Sequence, residues 1–180
     1  MRHLSTHHRK TLRTTLVAST VAMSALGATV AMTTPASALS WSCKTSSKTI
    51  DDAGYNGPWP DNWDVKIKAC AARSGGYAYG KATLSWDAPP SYSGNTSTFD
   101  AAQLRLFLVR PDSGATVKTA TYDIEYKLEH SNSAGNGSWT TPTIKFKTSK
   151  RVYADTTLRL DWNNDGKSYR NYQFTGSPSV

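Results

Sequence analysis

Short runs of alternating apolar and polar residues constrain the fold of this chain more than any other feature. In "VKIKA", Val65, Ile67 and Ala69 alternate with two lysines. Similar runs follow at 77–86, 103–109, 121–129, 143–147, 157–162 and 169–174. A period of two places the apolar side chains on one face of a β-strand. After residue 38, no stretch of a dozen residues carries a helical period without Gly, Pro or β-branched interruption.

Clusters of Gly, Pro, Ser, Asn and Asp separate these runs. They lie at 73–76, 87–97, 110–115, 130–138 and 163–167. Such clusters form turns because glycine reaches positive φ, proline fixes its own φ, and Asn and Asp side chains bond to nearby backbone. About seven short strands at this spacing predict an all-β fold. We expect an antiparallel β-sandwich, immunoglobulin-like or jelly-roll-like, over residues 65–180.

The first 38 residues have the three-part order of a secretory signal peptide. Four basic residues precede position 14, residues 16–32 are uncharged and apolar or small, and Ala36 and Ala38 offer an A-x-A cleavage site. This order predicts removal of residues 1–38 on export, an extracellular location and no retained membrane anchor. The remainder suits one domain, with all 13 acidic but only 17 of the 21 basic residues, so its net charge is about +4.

The sequence contains two cysteines, Cys43 and Cys70. In an oxidising compartment an even cysteine count predicts a disulfide, and no histidine stands near either residue in the sequence. The bond would close a loop of about 27 residues, which stabilises a domain by about 3–4 kcal/mol in the chain-entropy model. Because this loop has few strand signals, we expect residues 39–64 to form an extended N-terminal segment that the disulfide pins to the first strand.

The segment "DWNNDGKSY", residues 161–169, permits two interpretations. Asp161, Asn163 and Asp165 occupy the first, third and fifth positions of a calcium-loop pattern. The twelfth position of that pattern requires a bidentate acid, and here it is Tyr172. Asn-Asp-Gly is typical of a tight hairpin turn. We therefore favour a hairpin, keep a looser calcium site at these residues as the alternative, and expect no other cofactor.

Catalytic constellations are missing from the sequence after residue 38. His130, the one histidine there, lies in a predicted surface turn, whereas a triad needs a histidine beside a nucleophile and a zinc hydrolase usually needs two or three. Glu125 and Glu129 are the only glutamates. On one strand they would lie about 13 Å apart, which is too far for a catalytic carboxylate pair. We therefore predict no enzymatic activity.

Aromatic residues are abundant, and all six Trp, nine Tyr and four Phe follow position 38. Alternation places several of them in the core, whereas six lie in predicted loops or at strand starts. These candidate binding aromatics are Trp41, Tyr55, Trp59, Trp63, Tyr92 and Trp139. Exposed rings stack on sugars or anchor protein partners. The structural alternative is that they close the ends of the sandwich.

Lysines are expected on outward sheet faces. The densest basic stretch, "KFKTSKR" at 145–151, places Lys145 and Lys147 on one face of a strand. A solvated sheet face explains this pattern; a nucleic-acid surface is the alternative, and we expect no nucleic-acid partner. Tyr77 and Tyr79 would also face outward, with lysine and threonine beside them, as a polar-aromatic surface.

This layout resembles the small secreted proteins of actinobacteria, with a long basic start, an Ala- and Thr-rich apolar stretch and a compact β domain with two cysteines. The resemblance covers the layout of the whole chain. Some actinobacterial exports of this size are adaptor subunits of secreted toxin particles, in which an extended N-terminal segment docks into a partner. The resemblance implies such a part for residues 39–64.

Three functions remain open at this point. We expect a secreted, non-enzymatic interaction domain that binds an extracellular protein, as an adaptor in an extracellular complex. The alternative is a carbohydrate or cell-wall binding module for a cell-surface polysaccharide, which predicts two or three coplanar exposed rings on one face. A further alternative is a secreted protease inhibitor that presents the loop at 110–114 or at 130–138.

Overall fold

The structure, a computed structural model, describes residues 38–92, 94, 97–132 and 134–180. The predicted signal peptide lies, apart from Ala38, outside these residues. The elements in chain order are β1 (Trp41–Asp51), β2 (Asn62–Ser74), β3 (Tyr77–Asp87), β4 (Phe99–Val109), β5 (Thr116–Asp123), α1 (Glu125–Glu129), β6 (Gly137–Thr140), β7 (Ile144–Lys147), β8 (Tyr153–Trp162) and β9 (Arg170–Phe174).

The strands form two antiparallel sheets. Sheet 1 has the order β1-β2-β3-β6, with β7 pairing along another part of β3, and sheet 2 has the order β5-β4-β8-β9. Alternating burial along β3 and β4 directs one side of each sheet into a shared core. The predicted antiparallel β-sandwich is confirmed, with nine strands in the described residues instead of about seven. No helix in these residues is both long and apolar enough to span a bilayer.

An aromatic cluster joins the two sheets near one end of the core. Trp63 of β2 lies 5.4 Å from Phe99 of β4, and Phe99 lies 4.8 Å from Trp162 of β8, measured between ring centroids. All three side chains are buried. Large rings bury more apolar surface than any aliphatic side chain, so this cluster is a main contribution to sheet-to-sheet packing.

The N-terminal segment contains a strand that the sequence did not indicate. Residues 39–64 were expected to form an extended segment that the disulfide pins to the first strand, and within them Trp41–Asp51 is an edge strand that pairs with β2 along its whole length. Its inward positions are mostly serine and lysine, and Ile50 is the one buried residue of the strand. The alternation of apolar and polar residues therefore does not reveal β1. Backbone hydrogen bonds to β2 hold this strand in the sheet, and apolar burial contributes little.

The segment 121–129 also differs from its prediction as one strand. The strand ends at Asp123, and Glu125–Glu129 is a single helical turn. Ile124 and Leu128 are both buried, and their four-residue spacing places them on the same side of a helix. The same residues also fit a period of two, so periodicity alone could not separate the two structures.

The predicted disulfide is confirmed. Cys43 and Cys70 are bonded, with their Cα atoms 4.1 Å apart, and they stand directly opposite each other in the β1–β2 pairing. The bond therefore joins neighbouring strands of one sheet and does not tie a loose segment to a distant one. It reinforces the half of β1 that buries no side chain.

Replacing both Cys43 and Cys70 with Ser is expected to lower the free energy of unfolding by about 3–4 kcal/mol, because the unfolded chain regains loop entropy. The sheet should persist, with the backbone amides of residues 41–47 exchanging faster. Urea unfolding followed by circular dichroism, together with hydrogen exchange, measures both effects. Unchanged stability, or loss of the β-sheet spectrum in the absence of urea, would contradict this account of the bond.

Candidate functional site

Four connections meet at one end of the sandwich, which we call the loop end. The antiparallel pairings bring together the β1–β2 connection (52–61), the described residues of the β3–β4 connection (88–92, 94 and 97–98) and of the α1 region (124–132 and 134–136), and the β8–β9 connection (163–169). Five of the six predicted binding aromatics lie in or beside these connections. They are Tyr55, Trp59, Trp63, Tyr92 and Trp139. Residues far apart in the sequence thus lie close together at one end of the sandwich.

Trp59 is the most prominent of these rings. It is 67% exposed, in a stretch where Pro58 and Pro60 are exposed as well. Its backbone N–H donates to the Tyr55 hydroxyl at 3.4 Å, and the carbonyl of Pro60 accepts from Ser91 N–H at 3.2 Å. The chain therefore presents an exposed indole on a backbone that is fixed at both sides.

The Tyr55 ring lies beneath the tip of this loop. A Cβ added at Gly57 would come within 2.2 Å of the Tyr55 hydroxyl oxygen, so only glycine permits this close approach. At the start of the loop, Asp52 accepts from Tyr55 N–H through its backbone oxygen and from Gly54 N–H through its carboxylate. Hydrogen bonds and close contacts within residues 52–60 therefore determine the conformation of this loop.

A polar cleft of about 240 Å³ adjoins the Trp59 loop. It brings together two predicted aromatics, Tyr55 and Tyr92, with Asn163 of the predicted calcium segment and with Asp52. Burial raises the pKa of the Asp52 carboxyl, the Gly54 N–H partly opposes this shift, and the charge of Asp61 adds to it. The cleft offers mainly oxygen and amide groups to a partner.

Trp63 and Tyr92 close the end of the sandwich, as the structural alternative proposed. Trp63 is 2% exposed, and the half-buried Tyr92 ring packs edge-on against it at 5.3 Å. The Tyr92 hydroxyl donates to the backbone oxygen of Glu129 at 2.7 Å. Trp63 is therefore unavailable to a ligand, and the six predicted aromatics form no coplanar platform.

Glu129 is a residue whose role the sequence did not reveal. It was placed on an exposed strand face, about 13 Å from Glu125, but it is 5% exposed and one helical turn from Glu125. Its Oε1 accepts from the backbone N–H of Phe99 at 3.0 Å. Burial and the charge of Glu129 raise the pKa of Glu125. Glu129 thus attaches α1 to the start of β4.

A second cleft, of about 410 Å³, runs beside α1 and β6. Tyr126, which is 71% exposed, stacks on His130 with 3.9 Å between ring centroids. Trp139 is half-buried, and the ammonium of Lys127 lies 5.4 Å from the centre of its ring. Trp86 lies in the wall of the cleft. Of the rings that line this cleft, only Trp139 is among the binding aromatics predicted from the sequence.

Gly137 and Trp86 lie against each other in the lining of this second cleft. A Cβ added at Gly137 would come within 2.3 Å of the Trp86 ring, so the strand lies directly on the indole. The Trp86 Nε1 is buried and has no hydrogen-bond partner in the described part of the chain. Asn132, Asn136 and Ser138 add amide and hydroxyl groups to the lining.

The segment 161–169 forms the hairpin connection between β8 and β9. The Asp165 carboxylate accepts from Lys167 N–H at 2.7 Å and forms an ion pair with Arg170 at 3.0 Å. Asn163 donates to the backbone oxygen of Ser97 at 2.9 Å, and Asp161 lies in strand β8. These groups hold the turn in place. No group of three or more His, Cys, Asp or Glu suited to a metal ion occurs among the described residues.

The remaining candidates lie elsewhere. Trp41 begins β1 at the opposite end of the sandwich, where the ammonium of Lys81 lies 4.3 Å from its ring centre. The loop at 110–114 is a tight turn, closed by hydrogen bonds from Arg110 N–H to Ala115 and from Gly114 N–H to Arg110.

Comparison with known proteins adds no assignment to these surfaces. No protein-family model matches the chain, and a search of curated proteins finds no significant match.

The Asp52→Asn substitution is expected to stabilise the protein at pH 7 and to have little effect near pH 3. The folded state raises the pKa of Asp52 above its ordinary 3.8, so the folded state holds the proton more tightly and stability falls as pH rises through this window. Asparagine keeps the acceptor for Gly54 N–H but does not ionise. Urea unfolding at both pH values tests this, with Asp112→Asn as an exposed control. An equal effect of Asp52→Asn at the two pH values would contradict the assignment.

Proposed function

We propose that the protein is a secreted, non-enzymatic binding domain that docks an extracellular protein through the Trp59 loop. The observation that carries this proposal is an indole that is 67% exposed on a backbone fixed by Tyr55 and Ser91. Tryptophan is highly buried on average, and here the exposed ring stands between Pro58 and Pro60, which are exposed as well. This apolar projection fits a partner with an apolar pocket.

The energetics of protein interfaces favour this use of Trp59. Tryptophan is enriched among the few residues that contribute most of the binding energy at interfaces. Immobilising a flexible loop lowers affinity, and a loop that is already ordered avoids that cost. The polar cleft lined by Tyr55, Tyr92 and Asn163 adjoins the same loop and offers polar groups of the kind that surround an apolar anchor at an interface.

The geometry of the potential catalytic residues supports a binding role. His130, the only histidine after residue 38, stacks on Tyr126 and bonds to the backbone oxygen of Tyr126 at 3.2 Å. The partner of its ring nitrogen in this bond is a backbone oxygen, which is not a nucleophile that a histidine could activate. The Glu129 carboxylate is engaged by the Phe99 N–H inside the packed loop end.

Trp59→Ala is expected to weaken capture of the partner at least about tenfold, the loss typical of an aromatic anchor. Immobilised protein is exposed to culture medium, and the retained protein is then titrated against each variant. Tyr126→Ala is the matched control, because Tyr126 is the other exposed large hydrophobic side chain among the described residues. Hydrogen exchange in the complex should protect residues 52–61. Equal losses in both variants, or no retained protein, would contradict the proposal.

The second cleft favours a saccharide as the second candidate ligand. Tyr126, His130 and Trp139 provide ring surfaces, and Asn132, Asn136 and Ser138 provide groups that hydrogen-bond to sugar hydroxyls. Sites for small ligands combine apolar and aromatic walls with a few convergent polar groups in this way.

The saccharide candidate predicts that an oligosaccharide quenches the fluorescence of Trp139 on binding. Trp139→Phe should remove most of the signal change, and Tyr126→Ala should weaken binding about tenfold by removing a stacking face. Titration with chitin, cellulose and peptidoglycan fragments provides the measurement, with Trp59→Ala as the variant that should bind normally. Absence of binding to all three fragments, or an equal loss in Trp59→Ala, would exclude this candidate.

A further inference from the structure

The outward face of sheet 1 carries five lysines on three neighbouring strands. We call these residues the cationic face: Lys66 and Lys68 of β2, Lys81 of β3, and Lys145 and Lys147 of β7. Residues on either side of each lysine in these strands point inward, so the five ammonium groups share one surface. Four of the five side chains are exposed, and Lys81 is half-buried against Trp41.

The positive charge of the cationic face is only partly neutralised within the sheet, because Asp64 and Asp87 line a cleft together with Lys66. The one ion pair among the described residues joins Asp165 to Arg170, in the β8–β9 connection. The acidic residues on this face of β2 and β3 are Asp64 and Asp87, which stand opposite each other where the strands reach the loop end. The remainder of the surface combines lysines with threonine and serine hydroxyls.

Aromatic rings fix the position of two of these lysines. The Lys81 ammonium lies 4.3 Å from the centre of the Trp41 ring, and the Lys145 ammonium lies 4.6 Å from that of Tyr77. A cation over a ring face is held there by the ring's quadrupole. The same contact occupies one face of each ring, so these two rings position the lysine charges.

We propose that the cationic face binds a linear, phosphodiester-linked polyol polymer of the cell envelope. Along a strand, successive lysines such as Lys66 and Lys68 lie about 6.8 Å apart, and neighbouring strands are about 4.8 Å apart. The face thus presents cations at the spacing of strand residues, two of them held by aromatic rings, which suits a flexible chain with regularly repeated anionic groups. Its serine and threonine hydroxyls can hydrogen-bond to the polyol.

Other occupants fit this surface less well. A protein interface needs an apolar centre, and the two exposed large hydrophobic side chains among the described residues, Trp59 and Tyr126, lie at the loop end. Single-stranded nucleic acid stacks its bases on exposed rings, and here Trp41 and Tyr77 are half-buried with a lysine over one face of each ring. The clefts on this face that Lys66 lines also contain the Asp64 carboxylate, which repels a small anion.

This inference extends the proposed function and does not depend on the Trp59 loop. The predicted export of the chain would bring the cationic face to envelope polymers, while the loop end remains free for a protein. The two surfaces can therefore be tested separately, and Trp59→Ala should leave polymer binding unchanged.

The test uses the purified, disulfide-bonded protein and immobilised poly(glycerol phosphate), with binding followed by biolayer interferometry. The triple variant Lys66→Gln, Lys68→Gln, Lys145→Gln should weaken binding at least about tenfold, since each lost phosphate contact lowers affinity several-fold. Raising the salt concentration from about 50 to 200 mM should weaken wild-type binding about a hundredfold, and the triple variant should show a shallower dependence. Circular dichroism confirms that each variant is folded.

The matched control replaces three exposed lysines elsewhere, in the variant Lys118→Gln, Lys150→Gln, Lys167→Gln. It has the same net charge as the first triple variant and should bind within about threefold of wild type. An equal loss in the two variants would overturn the proposal, because net charge alone would then explain binding. Absence of binding, or equal or tighter binding to single-stranded DNA or to poly-glutamate, would overturn it as well.

Discussion

The contact of Trp63 with Phe99, and of Phe99 with Trp162, is the interaction on which the rest of the structure depends. It joins β2, β4 and β8, the central strands of the two sheets, directly below the connections at the loop end. Tyr92 packs on Trp63, and the buried Glu129 binds the backbone of Phe99, so the β3–β4 connection and α1 are both built on this cluster. A rigid base of this kind lets short loops hold one conformation without internal secondary structure.

A strand can be predicted from this sequence where one whole face of the strand is buried in the core. The strands β2, β3, β4 and β8 alternate clearly because one of their faces is in the core, and the sequence located them. The edge strand β1 and the four-residue β6 were missed, because backbone pairing with a neighbour determines them and leaves little pattern in their own residues. At 124–129, Ile124 and Leu128 fit both periods, and contacts with the rest of the fold select the helix.

The candidate site was predictable to a similar degree. The sequence identified six aromatic residues outside the alternating core positions. The strand topology places five of these six at the loop end. The sequence could not distinguish the buried Trp63 from the exposed Trp59, although only four residues separate them, because exposure depends on the course of the loop around Tyr55 and Gly57. Nor could it identify Glu129, since its role comes from a backbone N–H 30 residues away.

The disulfide connects the edge strand with the cationic face. Cys43 bonds to Cys70, and Trp41, two residues earlier, shares the outward side of β1 with Cys43 and holds the Lys81 ammonium. Because this part of β1 buries no side chain, the covalent bond and the backbone pairing together determine where Trp41 lies. The disulfide therefore helps to hold the Trp41 ring where it contacts the Lys81 ammonium. The Trp59 loop follows the other end of β1, where Ile50 is buried in the core. Its position depends on core packing, so the two proposed binding surfaces rest on different stabilising forces, and reduction of the disulfide should disturb the cationic face more than the loop end.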